Sequence, residues 1–166
     1  GACAHERGSM TRTQLGFRYQ PAAPAPVPLD GMVVVGFAGA GGSDEAIRDA
    51  IGRSPDVAMN HDAVALECHA RNHPETRRLL GDIWDQNPRD VVGRRDVALA
   101  WFSPDCRHHS RLRGGRIVSP RVRALPWVAA RWAREVRPRQ IGVECVERYC
   151  EVAANRLRQE VLGLVA

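Results

Sequence analysis

Lysine is absent: all 24 Lys+Arg positions of the 166-residue chain are arginine. Alanine, valine, glycine and proline are abundant alongside it, so the arginine excess reads as coding bias. Its clustering, not its amount, carries information. No apolar run approaches the roughly 18 residues of a transmembrane helix. The N-terminus lacks the continuous apolar stretch of a signal peptide. These absences predict a cytoplasmic protein without a membrane partner. No CxxC pair occurs, and the cysteines are odd in number: Cys3, Cys68, Cys106, Cys145 and Cys150. Free thiols are therefore expected rather than a disulfide framework. What is present is ordinary for a globular domain with a real core, 44% hydrophobic and 26% charged residues with a net charge of +5.

The chain opens with a polyproline-like spacer, Pro21 to Pro28, and residues 1–30 are expected to form a flexible segment outside the core. From Met32 onward, strand-like and helix-like segments alternate. Met32–Val35 is a β-branched run followed by a glycine loop. Ser43 is expected to cap a helix through about Ile51, with Ala46, Ile47, Ala50 and Ile51 at helical spacing. Asp56–Met59 reads as a second strand. Asp62 reads as the cap of a helix that ends before Pro74, with Ala65, Leu66 and His69 on one face. A weaker third strand is expected around Leu79–Ile83, a fourth at Asp96–Phe102 and a fifth at Gln140–Cys145. Ser119-Pro120 could open the intervening helix, unless Pro126 marks its true first turn. Val146–Leu162 completes the series as a helix. This alternation predicts an α/β fold, a Rossmann-like doubly wound parallel sheet with helices on both faces.

Chemistry-bearing residues gather at the ends of these strands, where open parallel sheets form their ligand crevice. Phe37-Ala38-Gly39-Ala40-Gly41-Gly42 lies between the first strand and a helix start. It can be a plain turn. It can also let a ligand approach the backbone closely, with the helix N-terminus favouring an anionic group. Asn60-His61-Asp62 ends the second strand, where a side chain can reach ribose hydroxyls, although Asp62 can simply cap a helix. Gly81-Asp82-Ile83 follows the third. Cys106 follows the fourth after a Ser-Pro-Asp turn, and Arg107, His108 and His109 come next. Neighbouring positive charge favours thiolate, so Cys106 can be a nucleophile, a metal ligand or a buried small hydrophobe. Glu144 tips the apolar fifth strand, which packing explains poorly. If strands four and five are neighbours, thiol and carboxyl share one crevice. Residues 107–123 hold six arginines and two histidines but no acid, which suits a solvated loop or an anion-binding one.

In this order these segments resemble the DNA cytosine-5 methyltransferases, the phage and prophage type above all. FAGAGG resembles that family's S-adenosylmethionine-binding motif, NHD its second motif, GDI its third, SPDC-x3-S its nucleophile motif and ECV its Glu-Asn-Val motif. The similarity runs from about Val33 to Glu147. It implies a methyltransferase fold, S-adenosylmethionine as cofactor and double-stranded DNA with a flipped cytosine as partner. It also implies a place in DNA methylation or restriction–modification. Cys106 would be the nucleophile and Glu144 the acid that contacts the base. Phe37, Gly39, Gly41, Gly42, Asn60, His61, Asp82, Ile83, Pro104 and Leu125 would surround the cofactor. Ser110, Arg111, Arg113 and Arg116 would contact DNA.

The sequence also departs from the family pattern. Asn60 stands where the family has Glu, Cys145 where it has Asn, and His109 where the phage type has an aromatic residue. Pro126 falls in a segment that the family keeps helical. No target-recognition motif follows before Ala166, so residues 31–166 are expected to be a C-terminally incomplete catalytic domain. A second polypeptide could supply the remaining half. A basic nucleic-acid-binding or cofactor-binding protein without catalysis is the alternative. A metal module built on Cys68, His69, His73, Cys106, His108 and His109 lacks any common zinc spacing beyond His69-x3-His73, so no metal is expected.

Overall fold

The computed structural model describes residues 25–104, 124–145 and 147–162. Within them, β1 (Met32–Gly36), β2 (Val57–Asn60), β3 (Arg77–Leu80), β4 (Val97–Phe102) and β5 (Gln140–Val143) form one sheet in the order β3-β2-β1-β4-β5. Every neighbouring pair is parallel, with Val34 opposite Val57, Val35 opposite Trp101 and Phe102 opposite Val143. Between the strands run α1 (Gly42–Ile51), α2 (Ala63–Asn72), α3 (Pro88–Val92) and α4 (Pro126–Val136); α5 (Glu147–Leu162) follows β5. The expected Rossmann-like doubly wound parallel sheet is thus the observed fold.

Alternation along β1 shows why the central strand is apolar throughout. All five of its residues are buried. Successive side chains point to opposite faces. Met32 and Val34 join a core cluster with Phe102, Val128 and Trp132, whereas Val33 and Val35 join another with Ala38 and Ile47 on the α1 side. A strand covered on both faces cannot show the polar alternation of a half-exposed one. The chain before β1 is tied to the α1 face. Val27 N–H donates to the Ala50 carbonyl at 2.9 Å, and Leu29 packs against the second cluster.

α4 begins with Pro126 in its first turn, so the proline neither kinks nor breaks it. The other candidate start, Ser119-Pro120, lies outside the described residues. Val128, Ala129, Trp132 and Ala133 form the buried stripe of α4. Trp132 meets Phe102 with ring centroids 5.8 Å apart.

Three expectations need correction. Ser43 does not cap α1: the cap is Gly41 in the left-handed region, without a side-chain cap bond, and the Ser43 hydroxyl donates instead to Asp44 at 3.2 Å. The buried side of α1 carries Asp44 and Ile47, while Ala46 and Ala50 are exposed. β3 starts earlier than expected and ends before Gly81, leaving Ile83 in the following turn, buried in the core. α3 is a further short helix, capped by the Asn87 side chain on Arg89 N–H, with Pro88 in its first turn.

Candidate functional site

The strand order places a topological switch point between β1 and β4: β2 and β3 lie to one side of β1, and β4 and β5 to the other. Open parallel sheets form their ligand crevice at such a point, outside the carboxyl ends of the two strands, here β1 and β4. A cleft of about 380 Å³ occupies it, lined by Phe37, Ala38, Ser43, Ala46, Trp101, Ser103 and Glu144.

The β1–α1 loop forms one wall. Phe37 has φ 62°, Gly39 φ 55° and Gly41 φ 101°. A phenylalanine in the left-handed region carries strain of about 1–2 kcal/mol, which surrounding structure must hold. Here Ala38 N–H is bonded to the Met59 carbonyl at 3.0 Å, and Gly41 N–H to the Ala38 carbonyl at 3.0 Å. With no side chain capping α1, its first N–H groups remain available to a ligand, and the helix dipole favours an anionic one.

At Gly41 the glycine is required twice, by its φ and by its neighbour. A Cβ there would sit 2.5 Å from the His73 ring, whereas one at Gly39 meets nothing within 4 Å. Gly41→Ala is therefore expected to lose about 2–4 kcal/mol, and Gly39→Ala about 1 kcal/mol. Urea unfolding of the two variants measures both. Equal losses would show that the His73 ring simply yields.

Trp101, Ser103 and Glu144 form the opposite wall. Trp101 packs over Gly142 of β5, where a Cβ would strike the ring, and its indole N–H donates to the Ser103 hydroxyl at 3.0 Å. β4 and β5 are neighbours, and Glu144 N–H donates to the Phe102 carbonyl at 3.0 Å. That bond fixes the exposed Glu144 at the crevice beside the end of β4. Pro104 is buried, and its carbonyl accepts from the Cys145 thiol at 3.6 Å. Cys145 thus holds the last described residue before the Asp105-Cys106 step. Cys106, Ser110, Arg111, Arg113 and Arg116 lie outside the described residues.

The other strand-end residues take separate positions. Asn60 accepts Asp62 N–H at 3.4 Å, His61 is exposed, and Asp62 caps α2 on Val64 and Ala65 N–H. Asp82 accepts Trp84 N–H at 3.0 Å, forming the turn after β3. Gly81 N–H donates to the Asn60 carbonyl at 3.0 Å, joining the ends of β2 and β3. Ile83 and Leu125 belong to the core cluster that contains Phe102. Sequence reasoning missed Ser43, Ala46, Trp101 and Ser103 as lining residues; the aromatic–apolar tip of β4 was the available signal. Among the described residues, no group of histidine, cysteine and carboxylate side chains could hold a metal.

Fold and crevice together define a Rossmann-like doubly wound domain with its cleft at the switch point between β1 and β4. Solved structures with the same architecture include a prophage-encoded DNA modification methyltransferase of E. coli, with a TM-score of 0.62 and 22% identity over 79% of this chain and 37% of that one. S. pombe Dnmt2 methyltransferase gives a TM-score of 0.62 and 25% identity over 80% of this chain and 42% of that one. A Spodoptera frugiperda DNMT2 variant gives 0.58 and 18% over 78% and 41%. The chain thus spans well under half the length of these neighbours. No protein-family model and no curated protein matches it. No helix among the described residues is long and apolar enough to cross a membrane.

Proposed function

We propose that this chain carries the cofactor-binding half and the nucleophile of a DNA cytosine-5 methyltransferase. The observation that carries the reading is the crevice between β1 and β4. A glycine loop with an uncapped helix start faces a strand-end carboxylate, Glu144, across one cleft. Likeness in fold to DNA modification and Dnmt2 methyltransferases supports the same assignment. Phe37 and the Gly39–Gly42 backbone fit an S-adenosylmethionine methionine moiety, whose carboxylate suits the free N–H groups of α1. Asn60, His61 and Asp82, on the neighbouring strand ends, would serve the adenosine, with Ile83 and Leu125 in the core cluster beneath and Pro104 at the end of β4. S-adenosylmethionine supplies an electrophilic methyl group.

The chain's own residues do the rest. Cys106, as thiolate, attacks C6 of a flipped cytosine while Glu144 holds a proton at N3. That addition makes C5 nucleophilic. After methylation the C5 proton leaves to a base and the thiolate is expelled, restoring the ring. Ser110, Arg111, Arg113 and Arg116 contact DNA phosphates.

Incubation with S-adenosylmethionine and duplex DNA containing 5-fluorocytosine tests the assignment. A gel-stable protein–DNA adduct is expected, because fluorine cannot leave as the proton does. Cys106→Ser should abolish the adduct, and Glu144→Gln should slow its formation by about 100-fold. An adduct that survives Cys106→Ser removes this nucleophile. Absence of cofactor binding by calorimetry removes the methyltransferase reading.

A further inference from the structure

The cofactor reading of the Gly39–Gly42 loop leaves one cluster without a role, at the C-terminal end of α2 and its cap. His69, Asn72 and His73 follow the i, i+3, i+4 spacing that brings side chains to one helix face. All three donate to the junction of loop and α1. His69 Nε2 donates to Asp44 Oδ1 at 2.9 Å, Asn72 Nδ2 to the Ala40 carbonyl at 3.0 Å and His73 Nε2 to the Gly41 carbonyl at 3.1 Å. The two imidazoles are 0% and 1% exposed, with ring centroids 4.9 Å apart. Each Nε2 faces an oxygen acceptor and so carries hydrogen. Each Nδ1 is buried without a hydrogen-bond partner among the described residues. Two histidines that each bring an unpaired buried nitrogen are a costly way to pack one helix on another. Leucine would serve packing alone.

The geometry points to a different task. A trans peptide aims its N–H opposite its carbonyl. By holding the Gly41 carbonyl toward α2, His73 turns Gly42 N–H the other way, out of the start of α1. By holding the Ala40 carbonyl, Asn72 likewise fixes the direction of Gly41 N–H, which closes the turn on the Ala38 carbonyl. The Gly41 carbonyl also accepts Glu45 N–H at 2.9 Å, the first bond of α1. We propose that His73, seconded by His69 and Asn72, is the positioning residue that aims Gly42 N–H toward the ligand of the Gly39–Gly42 loop while Gly41 N–H is held in its turn. The ligand, S-adenosylmethionine, rests on the reading given above; the orientation of the loop does not.

Two substitutions separate orientation from packing. His73→Gln keeps a donor near the Nε2 position, whereas His73→Phe keeps a ring and removes the donor. Amide hydrogen exchange of the cofactor-free protein reads the loop at Gly41 and Glu45, with Val34 and Val35 of β1 as controls. His73→Phe is expected to speed exchange at Gly41 and Glu45 about tenfold beyond any change in β1. His73→Gln is expected to stay within about threefold of the parent. Calorimetry should rank S-adenosylmethionine affinity in the same order, with about tenfold loss for Phe and near-recovery for Gln. If His73→Phe does not fold, Asn72→Ala removes one clasp bond from an exposed side chain and should speed Gly41 exchange about threefold. Equal behaviour of Phe and Gln, loop exchange that rises only in step with β1, or unchanged exchange in Asn72→Ala overturns the proposal. If the parent binds no S-adenosylmethionine while exchange keeps the expected order, the positioning role stands and the methyltransferase reading fails.

Discussion

Replacing Trp132 with alanine is expected to cost about 3–5 kcal/mol in urea unfolding, the range for emptying a large buried aromatic site. The side chain is 0% exposed and is the largest fully buried one among the described residues. It stands at the middle of α4, the helix that packs on β4, β5, α3 and α5. Little around it can collapse into the void, because Phe102 and Val128 are themselves held by the sheet and by α4. Trp132→Phe should behave differently. The indole nitrogen is buried without a partner, so removing it relieves an unsatisfied donor while most of the ring volume stays. A loss of about 1 kcal/mol is expected there. The alanine variant should also disturb the crevice, since Phe102 accepts the bond that fixes Glu144 N–H. A loss under about 2 kcal/mol for Trp132→Ala would show that α4 moves in to fill the site.

Most of this architecture was legible in the sequence, because buried parallel strands and amphipathic helices leave distinct periods. The misreadings have local causes. Ser43 has the chemistry of a cap, but the His73 ring lies against residue 41, so a left-handed glycine begins the helix. β3 is an edge strand that leaves Arg77 and Leu80 exposed, so apolar content placed it too far along the chain. Asn87-Pro88 carried the cap and first-turn signal of α3, in a helix of only five residues. Glu144 stood out because a carboxylate at the tip of an apolar strand needs a reason. Trp101 and Ser103 did not, since their place beside Phe37 follows from β1 and β4 pairing across the switch point. No local pattern encodes that crossing.

The same limit hid the partner of His69. Periodicity marks His69 as buried, but Asp44 lies 25 residues earlier, on another helix. Both side chains are 0% exposed and meet at 2.9 Å. Asp44 also lies in the first turn of α1, where the helix dipole favours a carboxylate. Removing either partner alone leaves a buried polar group in need of one. Asp44→Leu strands the His69 N–H and is expected to cost about 3–5 kcal/mol; His69→Leu strands the carboxylate, with the Ser43 hydroxyl as remaining support, and should cost a similar amount. The double Leu variant removes donor and acceptor together. Its loss should fall short of the sum of the single losses by at least about 2 kcal/mol, a coupling that a double-mutant cycle in urea reads directly. Such coupling would make the pair the anchor of α2 against α1, with the loop-orienting bonds of Asn72 and His73 built on it. A coupling under about 0.5 kcal/mol would mean that water satisfies each group alone, and the clasp would then rest on Asn72 and His73 by themselves.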